Sequence, residues 1–168
     1  METLLKTKRL YLRNLRPGDA EGIYASRNDH GCQKFQRWKD TSMEAVRALI
    51  NDFGNDEFLS DKEEQHYAVC AGDLLVGDLT YFYTEEDRCV TLGVTIAPEH
   101  QRKGYAFELL QSVVGAVRKK YAHLDIVALI DPENIPSIAL FEKLGFYREC
   151  YAESIASYVY VIDGIKEK

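Results

Sequence analysis

The sequence predicts a mixed α/β domain: a mostly antiparallel central sheet with one parallel β-α-β crossover and helices on both faces. Three observations predict it. Residues 66–96 read as three strands in series on short turns, an antiparallel meander. Residues 89–130 read strand, helix, strand, and such a crossover sets its two strands parallel. Helical stretches both precede the meander and follow the crossover, so each face of the sheet finds cover.

In chain order, the alternating run Leu10 to Leu15 is a first strand, broken by Pro17-Gly18-Asp19. Asp19 is placed to N-cap a helix that runs to about Arg27. Residues 28–40 are polar, with Phe35 and Trp38 embedded, and read as a loop or broken helix. Ser42 begins a helix with Ala45, Val46, Leu49, Ile50 and Phe53 on one stripe. An acidic loop, Gly54 to Gln65, leads into strands at 66–71, 74–83 and 89–96. The third is dense in β-formers such as Val90, Thr91, Val94 and Ile96. The next helix carries Ala106, Leu109, Leu110, Val113, Val114 and Val117 on one face and ends in the cations 118–120. Leu124 to Ile130 is nearly all apolar, as expected of a strand covered on both faces. Pro136 and Gly145 bracket a short helix, and one or two Tyr-rich strands close the chain, the last near residues 158–162.

Composition narrows the function. The 168 residues are one domain's worth. A net charge of −6 disfavours nucleic acid as a partner and suits a cationic small substrate. No apolar run is long enough to span a membrane, and the start of the chain has no export signal. The four cysteines, widely and irregularly spaced, are expected to be reduced thiols in a cytoplasmic protein, and no metal site is expected.

The stretch Gln101-Arg102-Lys103-Gly104-Tyr105-Ala106 stands between a strand and the most periodic helix. A helix N-terminus offers unpaired N–H groups and the positive end of the helix dipole, a ready seat for phosphate. Gly104 lets an oxygen approach the backbone without a Cβ in the way, and Arg102 and Lys103 add charge. Neither a dinucleotide-binding fingerprint nor a P-loop is present.

With its flanks, this stretch resembles the signature of the GNAT superfamily of acyl-CoA-dependent N-acetyltransferases: V-x-x-P closing a strand, then [QR]-x-x-G-x-[GA], then a helix. Here it reads Val94-Thr95-Ile96-Ala97-Pro98, then Gln101 to Ala106. Arg9 to Arg13, Glu108, Asn134-x-x-Ser137 and Phe141-Glu142-Lys143-Leu144-Gly145-Phe146 are similar to the Rim-type branch, which acts on protein N-termini and has many small-molecule-acetylating relatives. The resemblance spans about residues 8–163.

The resemblance implies a GNAT-like fold and transfer of an acetyl group from acetyl-CoA to a primary amine in a ternary complex. The cofactor's pyrophosphate is expected on the amides of Arg102 to Phe107, and its pantetheine arm between Val94–Ile96 and the strand 126–130. The N–H at about Ile96 would receive the thioester oxygen, a contact typically worth about 3–4 kcal/mol. Asn134 would hold the arm, and Phe141 would line the site where many relatives carry an acidic Tyr. Ser137 is the nearest substitute for that Tyr, with Tyr105, Tyr81 and Tyr83 as further candidates. Asp78 is the candidate base; Asp131, Glu153 or a water relay are alternatives.

The acceptor pocket is expected from residues 30–39, the acidic loop 52–64 and the tail 147–160, with Phe35, Trp38, Tyr151 and Tyr158 as lining aromatics. Asp56, Glu57, Asp61, Glu63 and Glu64 would draw a cationic acceptor if they face the cleft. A small amine is the expected acceptor. A protein N-terminus, or a non-catalytic acyl-CoA-binding module suggested by Phe141, are the alternatives. The chain is expected to be a monomer or a homodimer.

Overall fold

The computed structural model describes residues 2–55 and 57–166. Its strands are β1 (Leu5–Lys6), β2 (Tyr11–Asn14), β3 (Glu64–Ala71), β4 (Leu74–Thr84), β5 (Cys89–Ile96), β6 (Asp125–Ile130), β7 (Tyr147–Ala152) and β8 (Ser157–Ile162). Its α-helices are α1 (Ala20–Arg27), α2 (His30–Gln33), α3 (Met43–Phe53), α4 (Tyr105–Lys120) and α5 (Ile135–Lys143). The strands form one sheet in the order β1-β2-β3-β4-β5-β6-β8-β7. The pairing of β5 with β6 is parallel; the other pairings are antiparallel. Among the described residues, no helix is long and apolar enough to cross a membrane.

Two apolar clusters glue helices to the sheet. The apolar stripe of α4 (Leu109, Leu110, Val113, Val117) packs with Leu12, Tyr67, Leu79, Val90 and Ile126, and Phe141 of α5 joins the same cluster. On the other side, Ile23 of α1 and Val46 and Ile50 of α3 pack with Ala68 and Cys70. These side chains are almost wholly buried, and each Leu, Ile, Val or Phe among them contributes about 1.5–3 kcal/mol.

The sequence reading meets its limits at three places. Asp19 stands just before α1, but its carboxylate does not cap that helix. It turns back to accept both Arg13 guanidinium N–H groups at 2.7 and 2.8 Å and the Arg16 amide at 2.7 Å. The buried guanidinium is a stronger donor than a helix amide, and this pair raises the Arg13 pKa further. Ser42, by contrast, accepts from the Ala45 amide as expected of a cap. Strand β6 is not covered on both faces: Leu129 is 48% exposed. The acidic loop folds away, toward the α4 side of the meander. There the Tyr67 and Tyr121 hydroxyls donate to the carbonyls of Glu57 and Leu59. Asp56 lies outside the described residues.

Candidate active site

The site begins where the sheet opens. Strands β5 and β6 pair only at Cys89↔Asp125, Val90↔Ile126 and Thr91↔Val127. Beyond Thr91 they part. Two contacts border the opening. The outer edge of β6 is committed to β8 along residues 126–130. The Ile96 carbonyl, at the end of β5, is already taken by the Gln101 side-chain amide at 2.9 Å.

The gap is lined with free backbone donors. The Ala97 amide donates across to Val76 O at 2.9 Å. Alternation along an extended strand therefore turns the amides of Ile96 and Val94 the opposite way, into the gap. A cleft of about 590 Å³ fills it. Leu129 lines this cleft, which explains its exposure: an apolar run reads the same whether protein or a ligand covers it.

At one end of the cleft lies the N-terminus of α4. Gly104 is its N-cap residue, at φ +76°, a left-handed conformation that glycine adopts without strain. Arg102 is left-handed as well, at φ +60°. No side chain caps the helix. The first intrahelical bond runs from the Glu108 amide to Gly104 O, which leaves the amides of Tyr105, Ala106 and Phe107 for another partner.

Arg9 fixes this loop from the chain's start. Its guanidinium donates to Lys103 O at 2.8 Å and to Glu108 at 2.6 Å, and stacks 4.8 Å from the Tyr105 ring centre. The Glu108 carboxylate also accepts the Arg9 amide and the Thr7 hydroxyl. Burial pulls the Glu108 pKa up, but these hydrogen bonds and the Arg9 charge outweigh it and hold the group below its ordinary value.

Most residues singled out from the sequence converge on this cleft. Val94, Thr95, Ile96, Gln101, Arg102, Gly104, Tyr105, Ala106, Phe107, Asn134, Ser137 and Phe141 line it. Asn134 Oδ1 caps α5 by accepting the Ser137 amide at 3.3 Å, so its NH₂ group is the part left to meet a ligand. Phe141 is buried and packs edge-on against Phe146 at 5.0 Å.

Other candidates lie elsewhere. Lys103 does not line the cleft; its Nζ sits 3.4 Å from His100 Nδ1 on the exposed side of the loop. Asp78 faces the α1 side of the sheet, in a separate cavity. Tyr81 is buried in the α4 cluster, and Tyr83 donates to Glu85. Of the alternative carboxylates, Asp131 lines the cleft and Glu153 does not. Phe35 lines it too, whereas Trp38 lies 5.1 Å under the Arg27 guanidinium and Tyr158 packs on Tyr151 and Tyr160.

Cys32 and Gln36, inside the segment 30–39 expected to shape the acceptor pocket but not singled out there, also line the cleft, as does His100, which the sequence did not suggest. Cys32 Sγ lies 3.9 Å from Ile96 O and 3.8 Å from Gln101 Nε2. Burial and the nearby Asp29 push its thiol up to about 11, so it stays protonated. The N-cap Asp29 of α2, whose carboxylate accepts the Cys32 amide, was the local signal for the short helix that places it.

A splayed parallel pair with an uncapped, glycine-led helix N-terminus at its mouth makes a class of site that suits a ligand with a phosphate end and an extended, amide-bearing arm. The match to known proteins agrees: residues 9–147 fit the model of the acetyltransferase (GNAT) domain. The chain belongs to the GNAT family of acetyltransferases. It is 27% identical over 145 residues to the uncharacterized N-acetyltransferase YnaD of Bacillus subtilis, covering 86% of this chain and 83% of that one. Mycobacterium smegmatis RimJ, in complex with CoA-disulfide, shares the fold at TM-score 0.75 and 18% identity over 91% of this chain and 81% of RimJ. Spermidine N-acetyltransferase from Vibrio cholerae, in complex with CoA and spermine, does so at 0.70 and 23%, over 91% and 93%.

Proposed function

We propose that this chain moves an acetyl group from acetyl-CoA directly to the primary amine of a small molecule, both substrates being bound together. The observation that carries the choice of a small acceptor is a bridge. Arg37, on the segment after α2, donates to the Ser157 hydroxyl at the start of β8 at 2.9 Å. The bridge ties the segment after α2 to the start of β8, two segments expected to border the acceptor, and a protein N-terminus would need an open groove between them.

The donor set fits acetyl-CoA. Amides 105–107 and the Arg102 guanidinium suit a pyrophosphate. The Val94 and Ile96 amides and the Asn134 NH₂ suit the amide-rich pantetheine arm. Acetyl-CoA supplies an acyl thioester, and its oxygen gains negative charge as an amine adds. The Ile96 N–H is positioned to hold that charge. The Ser137 hydroxyl has no hydrogen-bond partner among the described residues and is assigned to protonate the departing sulfur. An alkylammonium, with a pKa of about 10, must first lose a proton. Asp131, or water in the cleft, takes it. The protonated Cys32 thiol is a poor nucleophile, which favours direct transfer over an acyl-cysteine.

The test is an acceptor screen with acetyl-CoA, read by mass spectrometry, over small primary amines and peptides with free N-termini. Acetylated small amines are expected. Acetylation of the peptides alone would overturn the choice of acceptor. Binding of acetyl-CoA without thiol release across the whole panel would leave a non-catalytic binding module.

A further inference from the structure

A second cavity, of about 320 Å³, opens on the α1 side of the sheet. Asp78 and Ser26 line it, and each is only 5% exposed. Neither side chain has a hydrogen-bond partner among the described residues. Their polar atoms are not sealed inside the fold but open to the cavity, where a carboxylate gains most from a partner. Two such groups facing one cavity are polar functions with no partner inside the fold.

The remaining lining narrows what would satisfy them. Ile23, Leu75 and Pro98 form an apolar wall, while Asp29 and Glu99 add carboxylates. No Lys, Arg or His is among the lining residues. Arg27 of α1 and His66 of β3 act on Asp78 only through their fields. A metal ion suits this poorly. A hard divalent cation takes six or more oxygens, and no cluster of described residues is arranged to hold a metal. An apolar stem with a cationic head suits it well.

We infer that this cavity binds a primary alkylammonium group. The alkyl stem lies along Ile23 and Leu75. The three N–H donors of the head meet the Asp78 carboxylate, the Ser26 hydroxyl and one of the carboxylates at Asp29 and Glu99. Burial raises the Asp78 pKa above its ordinary value, and an arriving ammonium shifts it back toward the charged form. The site is separate from the acyl cleft and does not rest on the acetyl-transfer reading.

Calorimetry on the full chain, without acetyl-CoA, tests it. The probe is n-butylamine, with n-butanol as the uncharged control. Butylamine is expected to bind saturably and butanol not. Asp78→Asn should weaken amine binding by about tenfold or more, Ser26→Ala less. Glu99→Gln, at the exposed rim, should weaken it about two- to threefold. Gly104→Glu, placed in the acyl cleft, should leave it unchanged, which separates failure here from failure of the acetyl-CoA reading. Equal affinity in folded Asp78→Asn and Ser26→Ala, or no saturable heat up to about 10 mM amine, overturns the site.

Kinetics then identify the source of the ammonium. Asp78→Asn raising KM more for a linear diamine than for its monoamine analogue assigns the cavity to the acceptor's own second amine. A change in kcat on adding a non-substrate amine assigns it to a separate effector molecule.

Discussion

Along its β4 edge, β5 is paired over its whole length, from Gly77↔Ile96 to Thr84↔Cys89; along its β6 edge, pairing stops at Thr91↔Val127. The same eight residues therefore present two different surfaces. On the paired edge every ladder group is used, and small changes are felt as strain. On the open edge the amides of Val94 and Ile96 stay available, and changes there act on a ligand. One strand holds the sheet together and feeds the cleft because its successive amides alternate between the two edges.

The largest expected effect tests the open edge. Gly104→Glu sets a carboxylate where the pyrophosphate is placed. A Cβ at this position meets no atom closer than 3.5 Å, so the protein should still fold, with about 1 kcal/mol of strain from φ +76°. Acetyl-CoA affinity is expected to fall by about a hundredfold or more through like-charge repulsion. Calorimetry checks it, and unchanged affinity would remove the pyrophosphate from this helix end.

Gly77→Ala tests the paired edge instead. The added Cβ would lie 2.2 Å from the Thr95 carbonyl oxygen, and neither backbone segment yields easily. A loss of on the order of 2 kcal/mol in urea denaturation is expected. Since Thr95 and Ile96 also border the cleft, acetyl-CoA affinity should drop along with stability. Stability loss with intact affinity would show that the two edges are mechanically independent.

How much of this was legible beforehand follows from how local each signal is. The meander, the crossover and the α4 stripe were readable because strand and helix periodicities are written in adjacent residues. The loop Gln101 to Ala106 was readable because its spacing alone sets a turn before a helix. Contacts distant in sequence were not. Arg9 and Glu108 are 99 positions apart, and nothing in either neighbourhood says that they meet. Cys32 reaches Ile96 across 64 positions through a helix of 4 residues, too short to leave a periodic trace. Asp78 was read as a possible base near the acetyl end because its strand passes there. Which face of the strand it occupies depends on sheet register, and that turns it to the α1 side.

A smaller effect probes the strut behind the open edge. Glu108→Gln keeps its shape but weakens the charge-assisted bonds from Arg9. Acetyl-CoA affinity is expected to fall about three- to tenfold at neutral pH. The pH dependence carries a sign. The folded-state pKa of Glu108 lies below its ordinary value, so its contribution is fully present above the ordinary carboxylate range and is lost as pH falls through the folded value. Stability and affinity of the parent should therefore decline at acid pH, and Glu108→Gln should flatten that decline. Identical acid profiles for the two proteins would mean that the Arg9–Glu108 pair does not support the loop.

The smallest expected change falls at Phe141. It lines the cleft at 4% exposure, with its ring edge-on to Phe146. Phe141→Tyr adds one hydroxyl to a ring already seated, and only a position facing the gap gives that hydroxyl room and a polar partner. If the departing sulfur passes here, the new donor joins Ser137, and kcat at saturating acetyl-CoA should hold or rise severalfold, within the roughly hundredfold range of general acid catalysis. Stability should change by less than about 1.5 kcal/mol, because the aromatic volume is conserved. A buried, unsatisfied hydroxyl would behave differently, lowering stability by about 1–3 kcal/mol with no gain in rate. Stopped-flow thiol release together with a urea midpoint separates the two outcomes. The first places the leaving group on the open edge of β5 beside α5; the second moves it away from Phe141 and leaves proton delivery to Ser137 alone.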